Sequence, residues 1–447
     1  MQKNKFSQLR PQLQKVWRLS LPAILTQITT IAMQYIDSAM VGRLGANASA
    51  AIGLVASSTW LFNGICYALA AGFSVQVAHR IGAGNPRGAR SVVRHGLLAA
   101  AIISGFLCLL GAAIHLRLPV WLKGDAEIIY DAGRYFLTFS MMLPFLQLSS
   151  LTASFLQCAG DMLTPSILNA VMCVLDVIFN ALLIPRLGVF GAGMGTMLAC
   201  AVVSVLMCGF CCLRNEALRF RRAERFSFDS GIFKAALRIG TPVAVQEIAM
   251  CGAQVVSTRI IAPLGAIAVA ANAFAVTAES ICYMPGYGIA SAATTLVGRS
   301  VGAGDTAEAR RYGNICTAMG AILMGCTGAA MMLLCPLVFR MLTPVREVQQ
   351  LAVRVLRIEL IAEPLFGVSI VAAGALRGAG DTLVPSLLNL GSIWIVRIGL
   401  ALLLVPRMGI PGMWISMAIE LCVRGLLLLL RQRTSRYYAQ APSAGAK

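Results

Sequence analysis

Twelve long apolar runs recur along the chain, and they leave it few folds to adopt. They lie near residues 16–41, 49–79, 94–117, 128–158, 164–185, 190–214, 236–262, 267–299, 314–340, 349–377, 384–405 and 410–431. About 20 apolar residues in a helix cross the hydrocarbon core of a bilayer. Only segments that satisfy their own backbone hydrogen bonds survive there. Charged residues make up 12% of the sequence and hydrophobic ones 58%, where a soluble domain carries about 25% charge. The expected fold is therefore an all-α integral membrane protein with twelve transmembrane helices. A basic start before the first run resembles a signal peptide. The run from Val16 to Val41 is too long for one and lacks a small-residue cleavage pattern, so it reads as a retained helix.

The net charge of +19 needs its own account. Lys and Arg concentrate on alternate connections, led by the tail residues Lys3, Lys5, Arg10, Lys15 and Arg18. A central run of Arg214, Arg219, Arg221, Arg222 and Arg225 follows. This is the positive-inside pattern, which places both termini in the cytoplasm of a multi-pass protein. The basicity is topological, so no nucleic-acid partner is expected. The compact loops and short termini fit a bacterial plasma (inner) membrane. Fourteen cysteines lie mostly inside apolar runs, among them Cys66, Cys108, Cys173, Cys200 and Cys251. There they act as small hydrophobes. The histidines, His79, His95 and His115, are dispersed, and no Cys or His spacing suggests a metal site.

The chain matches itself at an offset of 220 residues. Pro22 falls on Pro242, Leu44-Gly45 on Leu264-Gly265, and Gly82-Ala83-Gly84 on Gly302-Ala303-Gly304. LQCAGDMLTPSILN at 156–169 matches LRGAGDTLVPSLLN at 376–389 in nine of fourteen positions. Beyond that segment the offset becomes 221, pairing Pro185 with Pro406 and Gly191 with Gly412. Each copy holds six spans, an even number, so the copies share one orientation and form a parallel internal repeat with the substrate site expected between them. The expected domains are an N-terminal six-helix bundle (1–214), a cytoplasmic linker (215–230) and a C-terminal six-helix bundle (231–447). The Gly82–Gly88 segment resembles a phosphate loop but lacks a following Lys-Ser/Thr and a preceding strand. Both copies read as turns between helices. With ATPase machinery thus disfavoured, the energy for transport is expected from an ion gradient.

Ionisable groups inside membrane spans are costly, about 2.5–3.5 kcal/mol each on insertion scales, and are functional candidates by default. The first span holds Gln27, Gln34 and Asp37, within about 80° of one another around the helix. The fifth holds Asp176 and Asn180, four apart and on one face. The sixth opens with GAGMGT, placing Thr196 on a Gly-rich packing surface. Two carboxylates, an amide oxygen and a hydroxyl suit a hard cation such as Na⁺, and two adjoining carboxyls suit a shared proton. The second copy differs. Ser257 stands opposite Asp37, and Arg397 opposite Asp176. Its acids are Glu247, Glu279, Glu359, Glu363 and Glu420. Glu247 and Glu279, with Gln34, are candidates for a cation-attracting substrate cavity. Glu359 reads as lying near the membrane surface beside Arg357, and Glu420 as pairing with Arg424 on one helix.

The opening PAILTQITTIAMQYIDSAMVGRLG, the paired GAG and AGD-x-x-x-P-S segments, and the glycine-rich entry to the sixth span resemble the multidrug and toxic compound extrusion (MATE) transporters. The resemblance covers roughly 16–431 and occurs in both copies. It implies a V-shaped pair of bundles exporting organic, often cationic, compounds in exchange for H⁺ or Na⁺. It also implies that Asp37 is the helix-one carboxylate that carries the ion, with Asp176, Asn180 and Thr196 as its partners. The family's usual order on the fifth span is Asn then Asp, and DVIFN reverses it. The first-copy acid cluster looks more like the DinF-like branch than the NorM-like one.

The expected function is secondary active multidrug efflux by a monomeric antiporter, with alternating access, small organic substrates and no cofactor beyond the coupling ion. The alternative is a lipid-linked precursor flippase of related architecture, which needs a large cationic cavity. An integral-membrane enzyme would need a motif such as DDxxD or HExxH, and neither occurs.

Overall fold

The computed structural model describes residues 2–221, 224 and 227–435, with side chains from Arg10 onward except Ala46. Arg222 and Arg225 of the central basic run, and the side chains of Lys3 and Lys5, lie outside the described residues. The first copy comprises α1 (Gln2–Gly42), α2 (Ala46–Gly82), α3 (Pro86–Ile114), the single-turn α4 (Leu118–Trp121), α5 (Ala126–Cys158), α6 (Leu163–Leu187) and α7 (Val189–Gly209). The second comprises α8 (Ser230–Ile261), α9 (Ala266–Gly302), α10 (Thr306–Leu342), α11 (Arg346–Leu360), α12 (Glu363–Ala379), α13 (Leu383–Gly391), α14 (Gly399–Met408) and α15 (Ile410–Thr434). A π-helical turn at Phe210–Arg214 ends α7, and a longer one at Ser392–Ile398 joins α13 to α14.

Eleven continuous helical segments among the described residues are long and apolar enough to cross a membrane. The twelfth span is the pair α11 and α12. It was expected as one helix over 349–377, but it breaks at Ile361 and Ala362. Pro364 has no N–H to donate, and its ring crowds the carbonyl four residues earlier, which favours a break here, although Pro144, its counterpart in the first copy, lies within the unbroken α5. A new helix then starts at Glu363, with the Phe366 N–H donating to Ala362 O at 2.9 Å.

The structure also starts α3 and α10 earlier than the apolar runs do. Their first turns are polar and invisible to hydropathy, but they are capped identically. Asn85 Oδ1 accepts from the Gly88 N–H, and Asp305 Oδ1 from the Glu308 N–H, each at 2.8 Å. The preceding turns also match: Gly84 and Gly304 take φ values of +67° and +78°, a region where glycine escapes the Cβ penalty. Asn85 and Asp305 then donate their N–H groups back to Arg80 O and Ser300 O at 2.9 and 3.0 Å. The two GAG segments are thus one helix-to-helix turn built twice.

The chain forms two compact units, residues 28–247, and residues 1–27 together with 248–447. Each holds five whole spans and a part of each of α1 and α8. The boundaries fall inside α1 and α8 rather than in the 215–230 segment. Close helix packing explains the assignment. In the second unit, Gly288 of α9 lies directly against the backbone of Ile24, and the Lys15 ammonium sits 5.2 Å from the Tyr312 ring. In the first unit, Gly72 and Gly240 bring α2 and α8 together, each facing a backbone carbonyl of the other helix, Ala236 O and Ala68 O. Small residues that permit such approach drive association in lipid, where hydrophobic burial gives no drive. Phe73, Leu151, Phe155 and Met207 centre one core of the first unit, and Phe62, Phe136 and Leu143 another. Ile289, Cys316, Phe339, Leu356 and Trp414 lie in the core of the second.

Candidate functional site

The first unit gathers its buried polar groups at one place. Asn180, on the inner face of α6 and 1% exposed, donates its side-chain N–H to Asp37 Oδ1 of α1 at 2.9 Å. Asp176, one turn earlier on α6 and fully buried, presents its carboxyl to that of Asp37. Spacing by four put both residues on one helix face, and the structure turns that face toward α1. The reversed Asp–Asn order therefore still brings all three groups together.

Glycines make the approach possible. A Cβ at Gly195 of α7 would collide with Asn180 Oδ1, and one at Gly193 with the Thr138 hydroxyl of α5. Thr196 follows Gly195 on α7, half-buried, with its hydroxyl donating to Ala192 O at 3.2 Å. Its proton is committed to its own helix, while the oxygen keeps acceptor capacity. Sequence reasoning missed Tyr135. Its phenol, on α5, lies within electrostatic reach of both Asp37 and Asp176. The only sequence signal was a tyrosine among the apolar residues of the fourth span.

Among the described residues, neither oxygen of Asp176 has a hydrogen-bond donor, nor does Asn180 Oδ1. Buried oxygens without donors are unfavourable. Two adjoining carboxyls in this state are stabilised by a proton held between them, or by a small hard cation that their oxygens can ligate. The arrangement thus offers ion chemistry, with two carboxylates, an amide oxygen and a nearby hydroxyl oxygen as its donor set.

The substrate candidates fall elsewhere. Gln34, one turn before Asp37, is exposed, and its backbone carbonyl accepts from Ser38 at 2.8 Å. Glu247 of α8 is half-buried against Gly64 of α2. Glu279 belongs to the second unit, where it is 6% exposed.

Glu279 of α9 is part of a second acid cluster that sequence reasoning did not assemble. Glu359 of α11 and Glu363 of α12, both fully buried, flank the break in the tenth span and interact electrostatically with it. Glu359 was expected beside Arg357, but the helix turns Glu359 into the core while Arg357 is exposed. None of the four carboxyl oxygens of Glu359 and Glu363 has a hydrogen-bond donor among the described residues. Glu420 of α15 is clamped instead. Arg397 reaches its Oε2 at 2.8 Å, Arg424 its Oε1 at 3.2 Å, and the Ser392 hydroxyl donates to Oε1 at 2.8 Å. The pair with Arg424 was expected, and Arg397 and Ser392 complete it.

Sequence reasoning also passed over the Cys208-Gly-Phe-Cys211-Cys212 run at the end of α7, where Cys208 and Cys212 place their sulfurs 3.9 Å apart. No group of three His, Cys, Asp or Glu side chains among the described residues is arranged to hold a metal.

Twelve membrane-crossing helices in two bundles, with buried carboxyls facing one another across helices, define a membrane transporter. The sequence pattern of the MatE family matches residues 22–182 and 242–403. The chain belongs to this family of transporters, whose members are not enzymes. It is 26% identical over 442 residues to the "Probable multidrug resistance protein NorM" of Thermotoga maritima, covering 94% of this chain and 92% of that one. A protein of the same name from Rhodopseudomonas palustris is 30% identical over 452 residues, covering 96% and 93%. Among solved structures, an outward-facing multidrug resistance MATE transporter superposes with a TM-score of 0.90 at 20% identity, over 96% of each chain. The Vibrio cholerae MATE transporter VcmN, in a mutant form, superposes with a TM-score of 0.90 at 19% identity, over 96% of this chain and 99% of that one.

Proposed function

We propose that this chain is a secondary active exporter of organic, often cationic, compounds, driven by inward movement of H⁺ or Na⁺ at Asp37. One observation carries this reading: the carboxyls of Asp37 and Asp176 adjoin within the first bundle, and both Asp176 oxygens lack a donor among the described residues. An arriving proton or Na⁺ supplies the missing partner, and its departure leaves two carboxylates in repulsion. That difference in stability is what an ion gradient can exploit. Asn180 orients Asp37, and Thr196 offers a further oxygen. Multidrug export is supported by the names of the relatives in the family.

Placing the coupling ion at the first-unit cluster is the DinF-like arrangement. Gln34, Glu247 and Glu279 are assigned to cation attraction during substrate entry. We place the protein as a monomer in a bacterial inner membrane, with both termini cytoplasmic on the side enriched in Lys and Arg.

A lipid-linked precursor flippase would need free cationic groups within the membrane. Of the two mid-chain candidates, Arg259 and Arg397, the second is committed to Glu420, which disfavours that reading.

The test is ethidium efflux from cells lacking their own pumps, comparing wild type with Asp37→Asn under separate proton and sodium gradients. Loss of gradient-driven efflux in the variant is the expected result, and the gradient that drives wild type names the ion. Full efflux by Asp37→Asn rejects the proposal.

A further inference from the structure

Away from the ion site, the segment after α7 is latched to the start of α3 by a buried arginine. Arg90, 4% exposed, donates through Nε to both carboxylate oxygens of Glu224 at 2.9 and 3.1 Å, and through Nη2 to Oε1. It also reaches Ala217 O at 3.3 Å. Arg94 donates to Glu224 O at 2.7 Å and lies 5.0 Å from the Phe220 ring. At the next residue, His95 Nε2 accepts the Asp229 N–H at 2.9 Å, while Nδ1 lies 2.8 Å from Ser91 O.

This latch walls a cavity of about 540 Å³, lined in part by Arg80, Arg87, Ser91, Arg94, Glu224 and Ser227. Its charges do not balance. Bidentate Arg90 satisfies Glu224 from behind. Asp229, also on the wall, spends Oδ1 on the Gly231 N–H at 2.8 Å. Arg80 has no acid partner among the described residues, and Gly88 leaves room for its guanidinium above the first turn of α3. The Arg87 side chain is 85% exposed, with its Nε 3.9 Å from Glu224 Oε1. Two guanidinium groups therefore face the cavity with donors to spare, beside two serine hydroxyls. That is the chemistry of a phosphate site, which guanidinium groups engage in bidentate fashion.

The surroundings favour a phosphate with an apolar tail. The cavity lies where α2 and α3, both membrane-crossing, meet at their turn. Phe228 and Leu213, on the adjoining segment, are 63% and 76% exposed. Basic pockets at this level of membrane proteins take anionic headgroups. We propose that the cavity binds the phosphate of an anionic amphiphile, with Arg80 and Arg87 as its principal ligands. The proposal is independent of which ion or drug the transporter carries.

Native mass spectrometry of the purified full chain tests it, using phosphatidylglycerol, phosphatidylcholine with the same acyl chains, glycerol 3-phosphate and inorganic phosphate as probes. Wild type is expected to retain phosphatidylglycerol over phosphatidylcholine. Arg80→Gln/Arg87→Gln is expected to lose that preference roughly 30-fold, since each basic residue near an anionic surface contributes about one kcal/mol. Arg80→Lys/Arg87→Lys is expected to keep most of it. Retention of glycerol 3-phosphate or inorganic phosphate as tightly as the lipid, lost in the Gln pair, supports the phosphate site but assigns it a soluble ester. Equal retention of the two lipids by wild type, or undiminished retention by the Gln pair, overturns the proposal. If the Gln pair fails to purify, the wild-type comparison and the Lys pair decide the matter.

Discussion

The side-chain amide of Asn180 and the carboxylate of Asp37 meet at 2.9 Å across a sequence separation of 143 residues. Asn180 is the one donor that the structure supplies to the three-group cluster from α6. Its own carbonyl oxygen faces Gly195 and has no donor. The amide therefore works in one direction, fixing Asp37 while its own oxygen keeps its acceptor capacity.

Asn180→Ala removes that donor and takes from the half-buried Asp37 carboxyl its hydrogen bond from α6. Hydrogen bonds to charged groups are worth about 1.5–3 kcal/mol. The variant is expected to unfold several degrees earlier in a thermal melt and to lose at least about tenfold in gradient-driven efflux.

Gly195→Ala sets a methyl group against Asn180 Oδ1. Overpacking of this kind typically costs about 1–3 kcal/mol. Relief requires Asn180 to swing off Asp37, so efflux is expected to fall further than stability does. Gly53→Ala on α2 is the control, because a Cβ there meets nothing within 4 Å. It should match wild type in both assays.

The two acid environments of the second unit should respond oppositely to neutralisation. Glu420→Gln strands two arginines beside a partner that no longer carries charge. Breaking a buried pair this way costs about 3–5 kcal/mol. Glu363→Gln removes a carboxyl that has no donor, so stability is expected to hold or rise. Thermal melts of the two purified variants give the comparison.

Glu224 lies outside the membrane spans, and its hydrogen bond to Arg90 holds its carboxyl below the ordinary value of 4.5. A group whose folded value is depressed stabilises the fold fully above its unfolded value, near 4.5. That contribution disappears as pH falls through the lower folded value. Melting temperature should therefore decline below about pH 4.5 more steeply in wild type than in Glu224→Gln. Parallel declines would show that the latch contributes nothing to stability.

The amino-acid sequence made the spans and the duplication legible because both are periodic or repeated signals. The convergence of Asp37, Asp176 and Asn180 was legible because each is a costly group in lipid and two of them share a helix face. Tyr135 was not, since an aromatic residue in a membrane span has no cost that singles it out. The second acid cluster was not assembled either. It depends on Pro364 breaking a span that hydropathy reads as continuous, and on the break turning Glu359 inward. Chain order likewise hides how α1 and α8 divide between units. Their partners are chosen by glycines such as Gly288 and Gly72, far along the sequence.

The π-helical stretch at Ser392–Ile398 accounts for the slip in the repeat from 220 to 221 residues. A π turn closes its hydrogen bonds over five residues instead of four, so it houses one supernumerary residue without a loop. The slip falls between Asn389 and Pro406, the interval that contains this stretch. Its counterpart in the first copy, α6, is uninterrupted. In a regular α-helix one extra residue would rotate everything beyond it by about 100° around the helix axis. The π turn absorbs that residue, so on the 221-residue offset Arg397 stands where the first copy keeps Asp176, and there it closes on Glu420. One copy thus places an acid pair where its sibling holds a locked ion pair.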